Sequence, residues 1–371
     1  MKKTVSVLLA ILLLASALTG CGRAPAQEPE PASPAPEVTE APETSAEEAP
    51  AGEEVPVIHV IEDGRARPSN SGRLRVIDGR LCGENGDPVM LRGVSSNGLI
   101  TAEGYLNEEC FRELSKDLGV NVFRLAMYTY GVGAVGYCTG GDRDRHKADV
   151  ALGVELALRH DMYAVIDWHI LSDGDPNTYI EDAKLFFSEM AERFADSGNV
   201  LYEICNEPNR VDWPAVKAYA EQIIPVIREK DPEAVILVGS PDWSKDLRSA
   251  AADPLGFDNV MYTLHFYAAT HGREFRDMTQ EVCQNGLPVF VTEYGVTASS
   301  GGFPRDLESA DEWIGLLERE GVSWCMWSFS AVAEACSALR SGTLKYCGFE
   351  EADYSPTGIW LRETLTKYDS R

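Results

Sequence analysis

At 371 residues and 44% hydrophobic content the chain is long enough to bury a core, as one large domain or two medium ones. Its formal charge is −26; removing the +2 of Lys2 and Lys3, the +1 of Arg23 and the −9 of the glutamates in residues 24–57 leaves −20 on residues 58–371. A body this acidic repels phosphate backbones, which argues against nucleic acid as a partner and is indifferent to neutral ligands.

In chain order, Lys2 and Lys3 precede an apolar run over 5–18 that ends in Leu18-Thr19-Gly20-Cys21. A positive start, a short apolar stretch and small residues at its end predict a secretory signal over 1–20. The run falls short of the ~20 apolar residues of a spanning helix. Its last four residues resemble the lipobox of bacterial lipoproteins, which implies a lipid-bearing Cys21 that anchors the protein outside the cytoplasm to a bacterial membrane. Of the 34 residues in 24–57, 25 are Ala, Pro or Glu, with no aromatic, Lys or Arg. Such a segment cannot pack a core, and prolines with like charges keep it extended, so 21–57 reads as a disordered stalk and 58–371 as the folded body.

The body opens with 74–81 and 88–91 around a turn-rich 83–87, which predicts a hairpin. Apolar runs then recur at 90–95, 120–128, 163–169, 200–208, 235–243, 260–267, 289–295 and 323–330. Helical periodicity fills the gaps, at 107–118, 146–160, 181–196, 213–230, 244–251, 273–285 and 306–320, with a last helix at 356–368. Eight strand–helix units predict an α/β fold, a single (β/α)8 barrel with an N-terminal hairpin. An open doubly wound sheet is the competing architecture, and no GxGxxG or GxxxxGK[ST] follows any strand to support it.

Chemistry in such a barrel collects where the strands end. A lone glutamate is ordinarily solvated surface and a lone tryptophan ordinarily core, but here polar residues gather at six strand ends. They are Arg124 and Tyr128; Asp167 and His169; Asn206 and Glu207; His265 and Tyr267; Glu293; and Trp327. Two glutamates among Arg, His, Asn, Tyr and Trp suit glycosidic cleavage, with one carboxylic acid to protonate the leaving oxygen and one carboxylate to attack carbon. Arg124 and Tyr267 are expected to keep Glu293 ionised as nucleophile, and Glu207 is expected in a more apolar setting as the proton donor.

With these motifs the body resembles family 5 of the glycoside hydrolases, in its bacterial endo-β-1,4-glucanase branch. The likeness rests on Gly93-Val94-Ser95-Ser96, Phe123-Arg124-Leu125-Ala126-Met127-Tyr128, Asp167-Trp168-His169, Asn206-Glu207-Pro208, His265-Phe266-Tyr267, Thr292-Glu293-Tyr294-Gly295 and Trp327-Ser328. It implies Glu207 as acid/base and Glu293 as nucleophile of a retaining enzyme, Asn206 on the sugar 2-hydroxyl, and His169, His265 and Trp327 lining the subsite. Two departures fall on the minus side of the cleft. Where the branch carries Ser-Ser-His-Gly-Leu followed two residues later by Trp, this chain has Ser96-Asn97-Gly98-Leu99-Ile100-Thr101; its usual Lys and Glu after the last strand fall at Val332 and Glu334.

Eight cysteines follow Cys21, with no CxxC or Cys/His pair at metal-ligand spacing, so no metal, cofactor or disulfide is assigned; Cys205 and Cys325 sit in strand-like runs as small core residues. The expected ligand is a β-linked polysaccharide or oligosaccharide and the expected state a monomer. The reading is thus a retaining endo-acting β-glycanase, on β-1,4-glucan first, with mannan, xyloglucan or mixed-linkage glucan as alternatives. From another class stands a lipid-anchored, non-catalytic glycan-binding protein, against which the retained pair Glu207 and Glu293 argues.

Overall fold

The computed structural model describes residues 58–131 and 135–368. The predicted signal, Cys21 and the stalk lie outside them, as does the side chain of Thr101. None of the described helices is long and apolar enough to cross a membrane.

Two short antiparallel strands, β1 (Arg75–Ile77) and β2 (Arg80–Cys82), come first. Eight parallel strands follow: β3 (Arg92–Ser95), β4 (Val122–Tyr128), β5 (Tyr163–His169), β6 (Val200–Glu203), β7 (Val235–Val238), β8 (Val260–Tyr267), β9 (Val289–Gly295) and β10 (Trp324–Trp327). They close on themselves, β10 pairing with β3, as the predicted barrel. Five of the helices around them start where the sequence places a side-chain cap. Asn107, Asp142, Asp212, Asp306 and Ser355 each accept a backbone N–H of the first turn, and Pro214 and Pro356 stand where a missing donor costs nothing.

Several boundaries differ from expectation, and three of them have a cause in the local chain. The hairpin reverses at Asp78-Gly79, where φ of 50° and 76° match a two-residue turn of left-handed residues, and 83–87 closes a single further bridge, Cys82 to Pro88. The fourth barrel strand stops at Glu203 rather than 208, although Ile204 and Asn206 still donate to Leu237 and Trp168; Pro208 then has no N–H to continue. The fifth stops at Val238 because the chain turns through Asp242, Trp243 and Ser244, all with φ between 54° and 59°, and the helix predicted from 244 begins at Leu247 under an Asp246 cap.

Side-chain alternation sorts the barrel into two apolar regions. Val122, Tyr163, Val165, Leu201, Val235, Leu237, Met261, Phe290 and Cys325 point inward and fill its lower half together with Leu74, Leu81 and Leu91 of the hairpin region. The hairpin thus plugs the barrel floor, tied by Tyr163 Oη to the Gly72 carbonyl and by the Val76 N–H to Asn259 Oδ1, both 2.8 Å. Their outward neighbours pack on the helices in the larger core. A strap before the hairpin is locked by the fully buried Arg67. Its guanidinium bonds Asp63, the Ser115 hydroxyl and carbonyl, and the Asp161 carbonyl, while the Asp161 carboxylate accepts from Ile61 N, Ser69 N and Ser69 Oγ.

Candidate active site

Above the apolar plug the inward positions turn polar. Arg124 on β4 has no exposed surface and faces three carboxylates: Asp167 on β5 at 2.9 Å, Glu203 on β6 at 2.7 Å and Glu293 on β9 at 3.2 Å. Its Nη2 also donates to Asn206 Oδ1 at 2.7 Å. A buried cation needs this many partners to offset its desolvation. Burial pushes the Glu203 carboxyl up, but the charge and hydrogen bonds of Arg124, with His265 3.7 Å away, bring it down to about 2.

Glu293 reaches this layer through a bulge. Thr263 of β8 pairs with Phe290, but His265, two residues on, pairs with Glu293, three residues on; the register with β10 also shifts there. The extra residue turns both Thr292 and Glu293 inward, where strict alternation would send one outward. Glu293 Oε1 accepts the Tyr267 hydroxyl at 2.8 Å and Oε2 accepts Arg124 Nη1 at 3.2 Å, the two partners expected from the sequence.

Glu207 stands across the mouth, and its surroundings differ from the apolar setting expected. Its Oε1 lies 2.9 Å from His265 Nδ1; His265 Nε2 lies 2.9 Å from the Thr292 hydroxyl, which donates to Glu203 Oε1 at 2.7 Å. Burial lowers the His265 pKa, but the nearness of the Glu203 and Glu207 carboxyls outweighs this and raises it to about 9. At neutral pH the imidazolium therefore donates to Glu207 on one side and to Thr292 on the other. A carboxylate oxygen of Glu207, one of Glu293 and a His265 nitrogen all lie within 4.8 Å of one another. Among the described residues this trio is the one set close enough to share a metal ion. Its histidine is protonated and already engaged, a poor ligand set. Oxygens of the two carboxylates approach within 4.8 Å, closer than the roughly 6.5 to 9.5 Å separation that admits a water in inversion.

The remaining predicted residues surround this pair. Tyr128, His169 and Trp327 form a continuous aromatic wall, with ring centroids 4.1 and 5.4 Å apart and the latter pair stacked. Burial lowers His169 to about 4, so it stays neutral against Asp167, 2.6 Å from its Nδ1. Asn206 gives one amide hydrogen to the Ile170 carbonyl at 2.9 Å and directs the other to His169 Nε2 at 3.4 Å. Asn97 and Glu334 stand apart from the catalytic pair and meet each other at 3.5 Å on the rim. Two recesses flank the centre. One of about 370 Å³ includes Asn97, Ile100, Tyr128 and Tyr130; one of about 300 Å³ includes Glu207, Trp243, Lys245 and His271.

Sequence reasoning missed the second recess and the residues under the first layer. Trp243 is exposed because its N–H is fixed to the Pro208 carbonyl at 3.0 Å in the left-handed turn, and Ser244 Oγ donates to the Asn206 carbonyl at 2.6 Å. Glu203 had a legible signal, a charged residue inside the run 200–205. The left-handed turn had none.

This arrangement can deliver a proton from one carboxyl and attack carbon with the other across a sugar laid on the aromatic wall. A family model described as cellulase, glycosyl hydrolase family 5, matches residues 82–332. The chain belongs to glycosyl hydrolase family 5. Among family relatives, Endoglucanase A of Butyrivibrio fibrisolvens is 40% identical over 319 residues, 85% of this chain and 73% of that protein. An endoglucanase of Clostridium saccharobutylicum is 40% identical over 302 residues, 81% of this chain and 66% of that one. The solved catalytic domain of a Thermobifida fusca endoglucanase in complex with cellotetraose is 34% identical with a TM-score of 0.77, covering 81% of this chain and 100% of that domain.

Proposed function

We propose that this family 5 chain is a retaining endo-β-1,4-glucanase. The observation that carries it is the pair Glu207 and Glu293, oxygens within 4.8 Å, each held by its own donors. Glu293 attacks the anomeric carbon as Glu207 protonates the departing oxygen, forming a glycosyl ester on Glu293. Glu207 then takes a proton from the water that hydrolyses the ester. Arg124 and Tyr267 aim the nucleophile and accept its change of charge in a site they have already organised. The endoglucanase names of its relatives support β-1,4-glucan over the mannan, xyloglucan and mixed-linkage alternatives and over a non-catalytic binding role.

The test is product release by the full chain from carboxymethyl-cellulose, barley β-glucan, xyloglucan, glucomannan and xylan, with Glu207→Gln as control and the anomer of the first product read by NMR. Release of β-anomer from the glucans, lost in the control, is expected; α-anomer or release unaffected by Glu207→Gln contradicts the reading.

We further propose that Cys21 carries lipid and that residues 21–57 space the enzyme from a bacterial membrane. The signal-like start, the Leu18-Thr19-Gly20-Cys21 ending and the Pro/Glu-rich stretch support this. Labelled palmitate should enter the wild-type chain and not Cys21→Ser; labelling of both would remove the tether.

A further inference from the structure

The helix after the first barrel strand begins at Glu108 under an Asn107 cap and carries Cys110, which has no exposed surface. The segment from residue 341 to 350 lies across that turn. Asn107 Nδ2 donates to the Tyr346 carbonyl at 3.2 Å, and Glu113 accepts the Gly348 N–H at 2.6 Å and the Phe349 N–H at 3.4 Å. Residues 107 and 113 stand one helical turn before and after Cys110, on its face of the helix, and residues 346 and 348 flank Cys347. The three hydrogen bonds therefore bracket the two cysteines. Cys347 is partly buried and packs on the same core cluster that holds Cys110. Burial raises the Cys110 thiol well above its usual range, with the charges of Glu113 and Cys347 adding to it, as two neighbouring thiols would. The ring of Tyr346 meets Tyr105 at 5.2 Å and closes the same contact from the other side. Both thiols are reduced in this structure.

We infer that Cys110 and Cys347 are a disulfide-forming pair, which an oxidising compartment converts to a bond between the loop after β10 and the helix after β3. The more exposed Cys347 reacts first. Its thiolate attacks a disulfide oxidant and forms a mixed disulfide, releasing one thiol of the oxidant. Cys110 then attacks Cys347 Sγ and releases the second, so two protons and two electrons pass from the protein to the oxidant, and one disulfide is broken for one made. The bond ties together two segments of the minus-side rim. One runs from Asn97 to Cys110 and the other from Glu334 to Cys347, and they already touch at Asn97–Glu334 and Tyr105–Tyr346.

The experiment incubates the purified full chain with oxidised glutathione and maps its tryptic peptides without reduction, a measurement independent of how the protein is exported. A peptide ending at Arg112 joined to one beginning at Tyr346, two hydrogens lighter than their sum, is expected, with thermal unfolding shifted upward by several degrees. The shift should reverse on reduction and be missing in Cys347→Ser, which removes a partly exposed thiol and should fold. Recovery of Cys110 and Cys347 as free thiols, as glutathione adducts, or linked to other cysteines would overturn the inference.

Discussion

At the residue scale the site divides its labour by what each side chain touches. Glu293→Ala removes a charge at the barrel mouth and no core packing, so turnover should fall by about 10⁴-fold or more while thermal unfolding stays near wild type. Steady-state assay beside calorimetry checks both halves, and near wild-type activity would reassign the nucleophile. His265 sets the alkaline limit. With its pKa raised to about 9 it donates to Glu207 across neutral pH; above that the donor is lost, and kcat/KM should fall roughly tenfold per pH unit. A profile that stays flat through pH 10, or the same limb in His265→Asn, would assign the limit elsewhere. His169 and His271 act on stability from the acid side. Burial lowers each from 6.5 to about 4, and His271 Nδ1 accepts the Tyr267 N–H, which its protonated form cannot do. For such lowered histidines the stabilising contribution is complete above pH 6.5 and lost as pH falls toward 4, about 3 kcal/mol each. His265 has the opposite sign, its contribution complete below 6.5 and lost as pH rises through 9. The melting temperature should therefore decline between pH 6.5 and 4, which calorimetry at several pH values would detect.

At the element scale two glycines make opposite predictions. A Cβ on Gly93 of β3 would stand 1.9 Å from the Val122 carbonyl oxygen of β4, so Gly93→Ala must push two barrel strands apart and should cost about 3 kcal/mol or more. Gly315, inside the helix Leu307–Glu320, would meet nothing nearer than Arg319 Nη1 at 3.5 Å, so Gly315→Ala should stabilise by up to about 1 kcal/mol. Urea titration of both variants decides the pair of signs. Elements were legible where pattern and backbone agree: β5, β8 and β9 span the expected 163–169, 260–267 and 289–295, because a parallel strand buried on both faces reads as an unbroken apolar run. The β9 bulge left no mark in that run, since a one-residue slip changes which side chains face inward without changing composition. Trp243 was read as a strand end for the same reason, although three left-handed residues turn it outward into a recess beside Glu207.

At the scale of the whole molecule, the fold class and the meeting of Glu207 and Glu293 at one barrel mouth were legible because eight repeats of one pattern put polar residues at equivalent strand ends. The contacts of the polar layer beneath were not, because Glu203 and Asp167 meet through Arg124 and no linear spacing reports a contact across a barrel. The strap was equally hidden. Arg67 holds residues 63, 115, 120 and 161 together from a stretch with no secondary-structure signal, and Arg67→Met takes a charged partner from Asp63 and the donor from three carbonyls. It should cost about 3 to 5 kcal/mol of global stability with unchanged kcat in the folded fraction. Chemical denaturation with an active-site titration separates the two.

The polar layer also has a consequence for what the mouth prefers to hold. Burial raises the Asp167 carboxyl well above its usual range, and Arg124 and protonated His265 lie behind the mouth while Glu293 faces it, so positive charge is short where the anomeric carbon sits. A neutral sugar at rest does not correct that deficit. A ring whose anomeric carbon turns cationic as its bond breaks does, and the attraction grows as the reaction proceeds. The barrel therefore greets its guest with a vacancy for a charge the guest does not yet have, and a sugar-shaped ring carrying a basic nitrogen would fill it on arrival.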